Sequence, residues 1–176
     1  MRINIALIGF MGTGKTAVGK LLSKRLHLKF IEMDSLIERK AGKPIPQIFQ
    51  QDGEIAFREL EIDVAKEIAG EQNVVIACGG GIVLNRINID RLRVGSVMVH
   101  LTASPTVILK RTMGDNNVRP LLNVSDPVLR IKELLKFRRP LYERAADITI
   151  NTSRLSINAV VEQIINKLKE DASFHF

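Results

Sequence analysis

The chain has 176 residues, 45% of them hydrophobic and 26% charged, which suits one folded domain with a sizeable core and excludes a disordered or low-complexity chain. No apolar run approaches the roughly 18–20 residues that a membrane span needs. The net charge of +7 is concentrated, with nine Lys or Arg against four Asp or Glu over residues 110–144, which favours an anionic partner: nucleic acid, or a phosphorylated or carboxylated metabolite.

Ile3–Ile8 is a continuous apolar run ending at Gly9, as expected for a buried strand of a parallel sheet. Val18, Leu21, Leu22 and Leu26 then recur at helical spacing. Lys29–Glu32 predicts a second strand, and a helix from about Asp34 to Ala41 is stopped by Gly42 and Pro44. A longer helix is expected over 53–69, with Phe57, Leu60, Val64 and Ile68 on one face, and Gly70 ends it. Val74–Ala77 is a third strand closing on Gly79-Gly80-Gly81. Asn85 caps a short helix to Val94, and Val97–Leu101 is a fourth strand. Ser104 and Pro105 open a helix to about Thr112.

Residues 113–125 have no period and read as a mobile loop; Asp126 and Pro127 start the next helix, and Asp147–Asn151 is a fifth strand. Ser156 caps a last helix carrying Ile157, Val160, Val161, Ile164, Ile165 and Leu168. Strands alternating with helices imply a parallel sheet covered on both faces, and no linker or repeat divides residues 1–176. The first residues run into a strand without a signal peptide's apolar block, and the single cysteine, Cys78, cannot form an internal disulfide. A reducing, cytoplasmic setting is therefore expected, with Cys78 a small buried hydrophobe. No surplus apolar stripe is visible, so the expected state is a monomer.

The strongest signal is Gly9-Phe10-Met11-Gly12-Thr13-Gly14-Lys15-Thr16, which matches the eight-position phosphate-loop pattern between a buried strand and an amphipathic helix. Its glycines let backbone N–H groups of Gly12, Thr13, Gly14 and the residues through Ala17 converge on phosphate oxygens. Lys15 can reach the β- and γ-phosphates of ATP, and the Thr16 hydroxyl can bind Mg²⁺.

A phosphate loop alone leaves GTPase, motor, helicase and metabolite kinase open. The guanine-reading Asn-Lys-x-Asp is missing, since Asn166-Lys167-Leu168-Lys169 lacks the aspartate, and the third strand ends without an acid. The acids instead follow the second strand, as Glu32-Met33-Asp34. Two other readings stand open: a small kinase for gluconate or a nucleoside monophosphate, and a basic nucleic-acid-binding ATPase. The second fits poorly with no tryptophan and 5% aromatics, which offer few stacking platforms, so no nucleic-acid partner is expected.

Glu32-Met33-Asp34, Phe57-Arg58-x-x-Glu61, Gly79-Gly80-Gly81, Arg119-Pro120-Leu121-Leu122 and Arg138-Arg139-Pro140-Leu141-Tyr142 follow the phosphate loop in order. In that order and spacing they resemble the motifs of shikimate kinases, from the phosphate loop to residue 154. The resemblance implies a three-layer αβα fold with a five-stranded parallel sheet of the nucleoside-monophosphate-kinase type. It implies transfer of the ATP γ-phosphate to the 3-hydroxyl of shikimate, in aromatic amino-acid biosynthesis. Asp34, Arg58, Gly80 and Arg138 would bind shikimate, with substrate-binding helices over about residues 33–61. Arg119 would lie on a lid over the phosphates, near 113–125, and Arg154 near the adenine.

The residue types suit that chemistry. Arg58 and Arg138 can each grip a carboxylate bidentately, and Glu54 and Glu61 can hold Arg58 in place from the same helix. Asp34 can orient the attacking hydroxyl, needing little base strength for a loose phosphoryl-transfer transition state. Each has a structural alternative: Asp34 as a helix N-cap, Arg58 as a solvated ion pair, Arg138-Arg139 as complements of a helix C-terminus. Phe49 and Phe57 could wall a ring or simply pack. One position departs from the family pattern: the family's usual first acid after the second strand is Asp, and here it is Glu32. Its extra methylene is expected to leave Glu32 an outer-sphere role toward Mg²⁺ through water, with Thr16 the direct ligand.

Overall fold

The apolar runs become strands because β-branched and aliphatic residues in short stretches bury on both faces of a parallel sheet. The computed structural model describes residues 3–113, 122, 125–171 and 174. Five strands, β1 (Asn4–Ile8), β2 (Lys29–Glu32), β3 (Val74–Ala77), β4 (Ser96–Thr102) and β5 (Ile148–Asn151), form one all-parallel sheet in the order β2-β3-β1-β4-β5. The central strand β1 sends alternate residues to opposite faces. Ile5 and Leu7 pack with Val18 and Leu22 of α1 (Lys15–Leu26) and with Val160, Ile164 and Leu168 of α8 (Ile157–Glu170). Ala6 and Ile8 join the other core with Ile37 of α2 (Met33–Ala41), Ile48 of α3 (Ile45–Gln51), Val64 of α4 (Gly53–Ile68) and Leu92 of α5 (Arg86–Gly95). These side chains are fully or almost fully buried, each Val, Leu or Ile among them stabilising the fold by about 1.5–3 kcal/mol relative to exposure. This is the expected three-layer arrangement.

Two helices complete the chain: α6 (Pro105–Met113) and α7 (Pro127–Ala145). Asp126 caps α7 by accepting from the Leu129 amide, and Ser156 caps α8 by accepting from Ala159, as the capping residues predict. The helix α3 was not expected, because Gly42 and Pro44 signal only the stop of α2. Pro44 and Pro46 sit at its beginning, where a missing N–H costs nothing, so the stop of α2 is also the start of α3. Asp34 is not the cap of α2: Glu32 occupies that position without a side-chain capping bond, and Asp34 lies in the first turn. Arg119 and most of the 113–125 segment read as a lid lie outside the described residues.

The sheet register places the chemistry. Glu32 pairs with Ala77 and Ala77 with Leu7, so β2 and β3 end level with each other and one residue before the end of β1, while β4 runs on to Thr102. Since all strands run parallel, the residues after β1, β2 and β3 emerge along one edge. The phosphate loop, Asp34 and Gly79–Gly81 are brought together there although they are far apart in sequence.

Candidate active site

The loop between β1 and α1 is built by glycines. Gly9, Gly12 and Gly14 have φ of 147°, 73° and 97°, in the region where a side chain is strained, and a Cβ on Gly9 would overlap the Leu101 carbonyl. Thr13 is buried and its hydroxyl donates to Phe10 O at 2.8 Å, so this side chain is committed to the loop and leaves its backbone to face outward chemistry. Lys15 Nζ donates to the carbonyls of Gly9 and Phe10 at 2.9 Å each, arching over the loop. The helix α1 begins at Lys15, so its positive end and unpaired amides face the same space.

At the far side of α1's first turn the Thr16 hydroxyl hydrogen-bonds Glu32. Burial pushes the Glu32 carboxyl above its usual value, opposed by that hydrogen bond and by Lys15 and Lys20, while Asp34 adds to the rise. Glu32 Oε2 is buried with no hydrogen-bond partner. A desolvated carboxylate with an orphaned oxygen beside a threonine hydroxyl suits a hydrated cation, which would satisfy the oxygen and favour its charged form. Among the described residues no group of three or more His, Cys, Asp or Glu forms a metal cage. Magnesium needs none when it arrives on phosphates and keeps its waters.

The second half of the site is assembled from α2, α4, α7 and the Gly79–Gly81 loop. A Cβ on Gly79 would lie 3.0 Å from Asp34 Oδ1 and 3.4 Å from Glu61 Oε1, and one on Gly81 would overlap the Arg58 guanidinium. Arg58 is held on two sides: Nη1 donates to Glu61 Oε2 at 2.9 Å, and Nε and Nη2 donate to Glu54 Oε1 at 3.3 and 3.0 Å. Glu61 is fully buried; burial raises its carboxyl, and Arg58 opposes the rise. Phe57 packs 4.7 Å from Phe49 and lies under the Arg58 guanidinium.

Arg138 is 5% exposed and donates from Nη1 to Gly80 O at 3.3 Å, with its guanidinium 5.7 Å from the centre of the Phe10 ring. Its neighbour Arg139 is exposed and pairs with Glu143 at 2.7 Å, so only the first of the two arginines reaches the site. Asp34, Arg58, Gly80 and Arg138 therefore gather beside the phosphate loop. Arg154 is exposed in the β5–α8 connection and makes none of these contacts.

One residue of this region has no local signal. Arg111, near the end of α6, donates to Gly12 O at 3.1 Å, to Thr152 Oγ1 at 3.0 Å and to Thr152 O at 2.9 Å, while Thr152 Oγ1 donates to Thr13 O. It ties the phosphate loop to the β5–α8 connection and, within the sequence, is only a basic residue late in a helix. A separate surface cavity of about 150 Å³, between Val83, Ile89, Leu141 and Arg93, shares no residue with the cluster. Cys78 is buried and its thiol is pushed up to about 12 by desolvation, which makes it the inert residue expected.

A protein-family model described as shikimate kinase matches residues 11–169. The shikimate kinase of Pelotomaculum thermopropionicum is 47% identical over 167 residues, covering 95% of this chain and 96% of the relative. That of Thermodesulfovibrio yellowstonii is 48% identical over 164 residues, covering 93% and 94%. Among solved structures, the shikimate kinase from Acinetobacter baumannii in complex with shikimate superposes with a TM-score of 0.92 at 37% identity, covering 98% of this chain and 96% of that one.

Proposed function

Because the chain belongs to the shikimate kinase family, we propose that it transfers the γ-phosphoryl group of ATP to the 3-hydroxyl of shikimate, giving shikimate 3-phosphate and ADP. The observation that carries this reading is the meeting of two arginine forks and an aspartate at the mouth of a phosphate loop. Shikimate is a small ring with one carboxylate and three hydroxyls, and that donor set matches it. The product serves aromatic amino-acid biosynthesis. We place it in a reducing, cytoplasmic setting, in keeping with a buried free thiol, and take the working form to be a monomer; no helix among the described residues is long and apolar enough to cross a membrane.

In this reading the backbone amides from Gly12 to Ala17 hold the phosphates of ATP, and Lys15 exchanges its loop carbonyls for phosphate oxygens. Its positive charge follows the negative charge as it builds on the transferring group. Mg²⁺, when bound, neutralises phosphate charge; Thr16 would hold it directly and Glu32 through water. Arg58 and Arg138 grip the carboxylate of shikimate, with Gly80 beside them, and fix which hydroxyl faces the phosphate. Asp34 accepts a hydrogen bond from that hydroxyl, orients it, and takes up its proton as the bond to phosphorus forms. Arg119 is assigned charge neutralisation over the phosphates, and Arg154 a place near adenine, both on motif position.

The test is a coupled assay of ADP release with shikimate, gluconate, AMP, CMP and UMP offered separately. Turnover with shikimate alone supports the reading; preference for gluconate or a nucleotide refutes it.

A further inference from the structure

Tyr142 lies one helical turn beyond Arg138 on α7 and is 1% exposed. Its hydroxyl donates to Gly80 O and is hydrogen-bonded to the Arg138 guanidinium, which itself donates to the same carbonyl from Nη1. Three groups thus close on one another: a helix arginine, a helix tyrosine and the backbone of the loop after β3. The tyrosine ring is anchored from behind by His100 of β4, stacked at 4.8 Å and 14°. Burial raises the Tyr142 hydroxyl to about 12, so it remains a donor at any working pH.

Arg138 needs such an anchor. It is a long side chain on a helix, and among the described residues its guanidinium also lies over the Phe10 ring. Its Nε is buried without a hydrogen-bond partner, an orphaned donor of the kind that a carboxylate ligand would satisfy. The guanidinium has more donors than Gly80 O and Tyr142 consume, so the brace fixes its plane and leaves part of the fork for a ligand. The Gly80 backbone, where an added Cβ would come 3.5 Å from Met11 N of the phosphate loop, is fixed by the same hydroxyl.

We propose that Tyr142 is a positioning residue for substrate recognition: its hydroxyl sets the plane of the Arg138 guanidinium and pins the Gly80 carbonyl, presenting both to the substrate carboxylate side. This rests on the reading that shikimate is the acceptor. It acts through Arg138 and not on the reacting atoms, so it governs acceptor binding and leaves the chemical step and the nucleotide alone.

The test is Tyr142→Phe, which keeps the ring and its stacking on His100 and removes one oxygen. The wild type is assayed beside it, and a wild type inactive on shikimate would sink the functional reading and not this one. With an active wild type, KM for shikimate is expected to rise about tenfold, from the loss of one buried hydrogen-bonding partner, while kcat and KM for ATP stay within about twofold. A structural role alone predicts a lower melting temperature with KM unchanged, and that result overturns the proposal. Arg138→Lys and the double variant make the second measurement. If Tyr142 works through Arg138, its removal adds little in the Arg138→Lys background, whereas full additivity contradicts the proposal. Should Tyr142→Phe be destabilised, calorimetric titration of shikimate well below its melting temperature decides the same question, with affinity retained counting against the proposal.

Discussion

The two halves of the site are built by opposite means. The phosphate half is eight consecutive residues, shaped by backbone and by glycines at positive φ, with one side chain, Lys15, arching across it. The acceptor half is made of side chains from α2, α4 and α7 around a three-glycine loop, and no two of its arginines are near in sequence. Phosphates are the same on every nucleotide, and backbone amides suffice to bind them. One particular ring acid must be told from another, which takes forks of fixed direction held by second partners such as Glu54, Glu61 and Tyr142.

The contrast is broken most severely at Lys15. Lys15→Ala should lower kcat by about 100-fold or more, because a charge that follows the transferring phosphoryl is lost, while the melting temperature hardly moves. Retention of more than about a tenth of wild-type kcat would remove Lys15 from the transferring centre.

A smaller and more selective effect is expected on the other side. Arg58→Lys should raise KM for shikimate about tenfold or more and leave KM for ATP within about twofold, since a point charge cannot reproduce the fork that Glu54 and Glu61 aim. Gly81→Ala should do the same indirectly, because its Cβ would displace the Arg58 guanidinium. Equal rises in both constants would mean that the halves are not separable and that these residues support the fold.

Glu32 lies at the join. Glu32→Asp should be nearly neutral, and Glu32→Ala should raise the Mg²⁺ needed for half-maximal activity by about tenfold or more, the scale of losing a group that holds a metal's water in place. An unchanged Mg²⁺ dependence in the alanine variant would pass the metal role to Thr16 and Asp34.

The smallest effect is on stability. His100 is buried behind Tyr142, and desolvation lowers its pKa from 6.5 to about 4, with Lys15 lowering it further and Glu143 opposing. Between those values the unfolded chain binds a proton that the folded chain refuses, so stability falls as pH drops from about 6.5 towards 4. His100→Phe keeps a ring under Tyr142 and should flatten that decline in melting temperature. A parallel decline in both proteins would show that other groups control it.

The same division explains what could be read from the chain. The phosphate loop was legible because its chemistry is contiguous and its strand–helix context is written in hydrophobic period. The five strands and most helices followed from that period too, whereas α3 was hidden because proline starts a helix as readily as it ends one. Arg58 and Glu61 share one helix face, so their pairing was visible; their meeting with the glycine loop and Arg138 was legible only through the resemblance, since it is the parallel register that brings the β2 and β3 exits to one edge. Arg111 was missed altogether, because nothing local tells a helix-end arginine bound to Gly12 and Thr152 from one in solvent. Where single residues were mute, the ordered motifs carried the reading.

The identity of the acceptor is tested most directly by ³¹P NMR of the protein with Mg²⁺, ATP and shikimate. The expected spectrum replaces the γ-phosphate resonance of ATP by those of ADP and of one phosphomonoester whose phosphorus couples to the proton at carbon 3 of shikimate. A phosphomonoester at another hydroxyl, or ATP consumed only to inorganic phosphate, would contradict it.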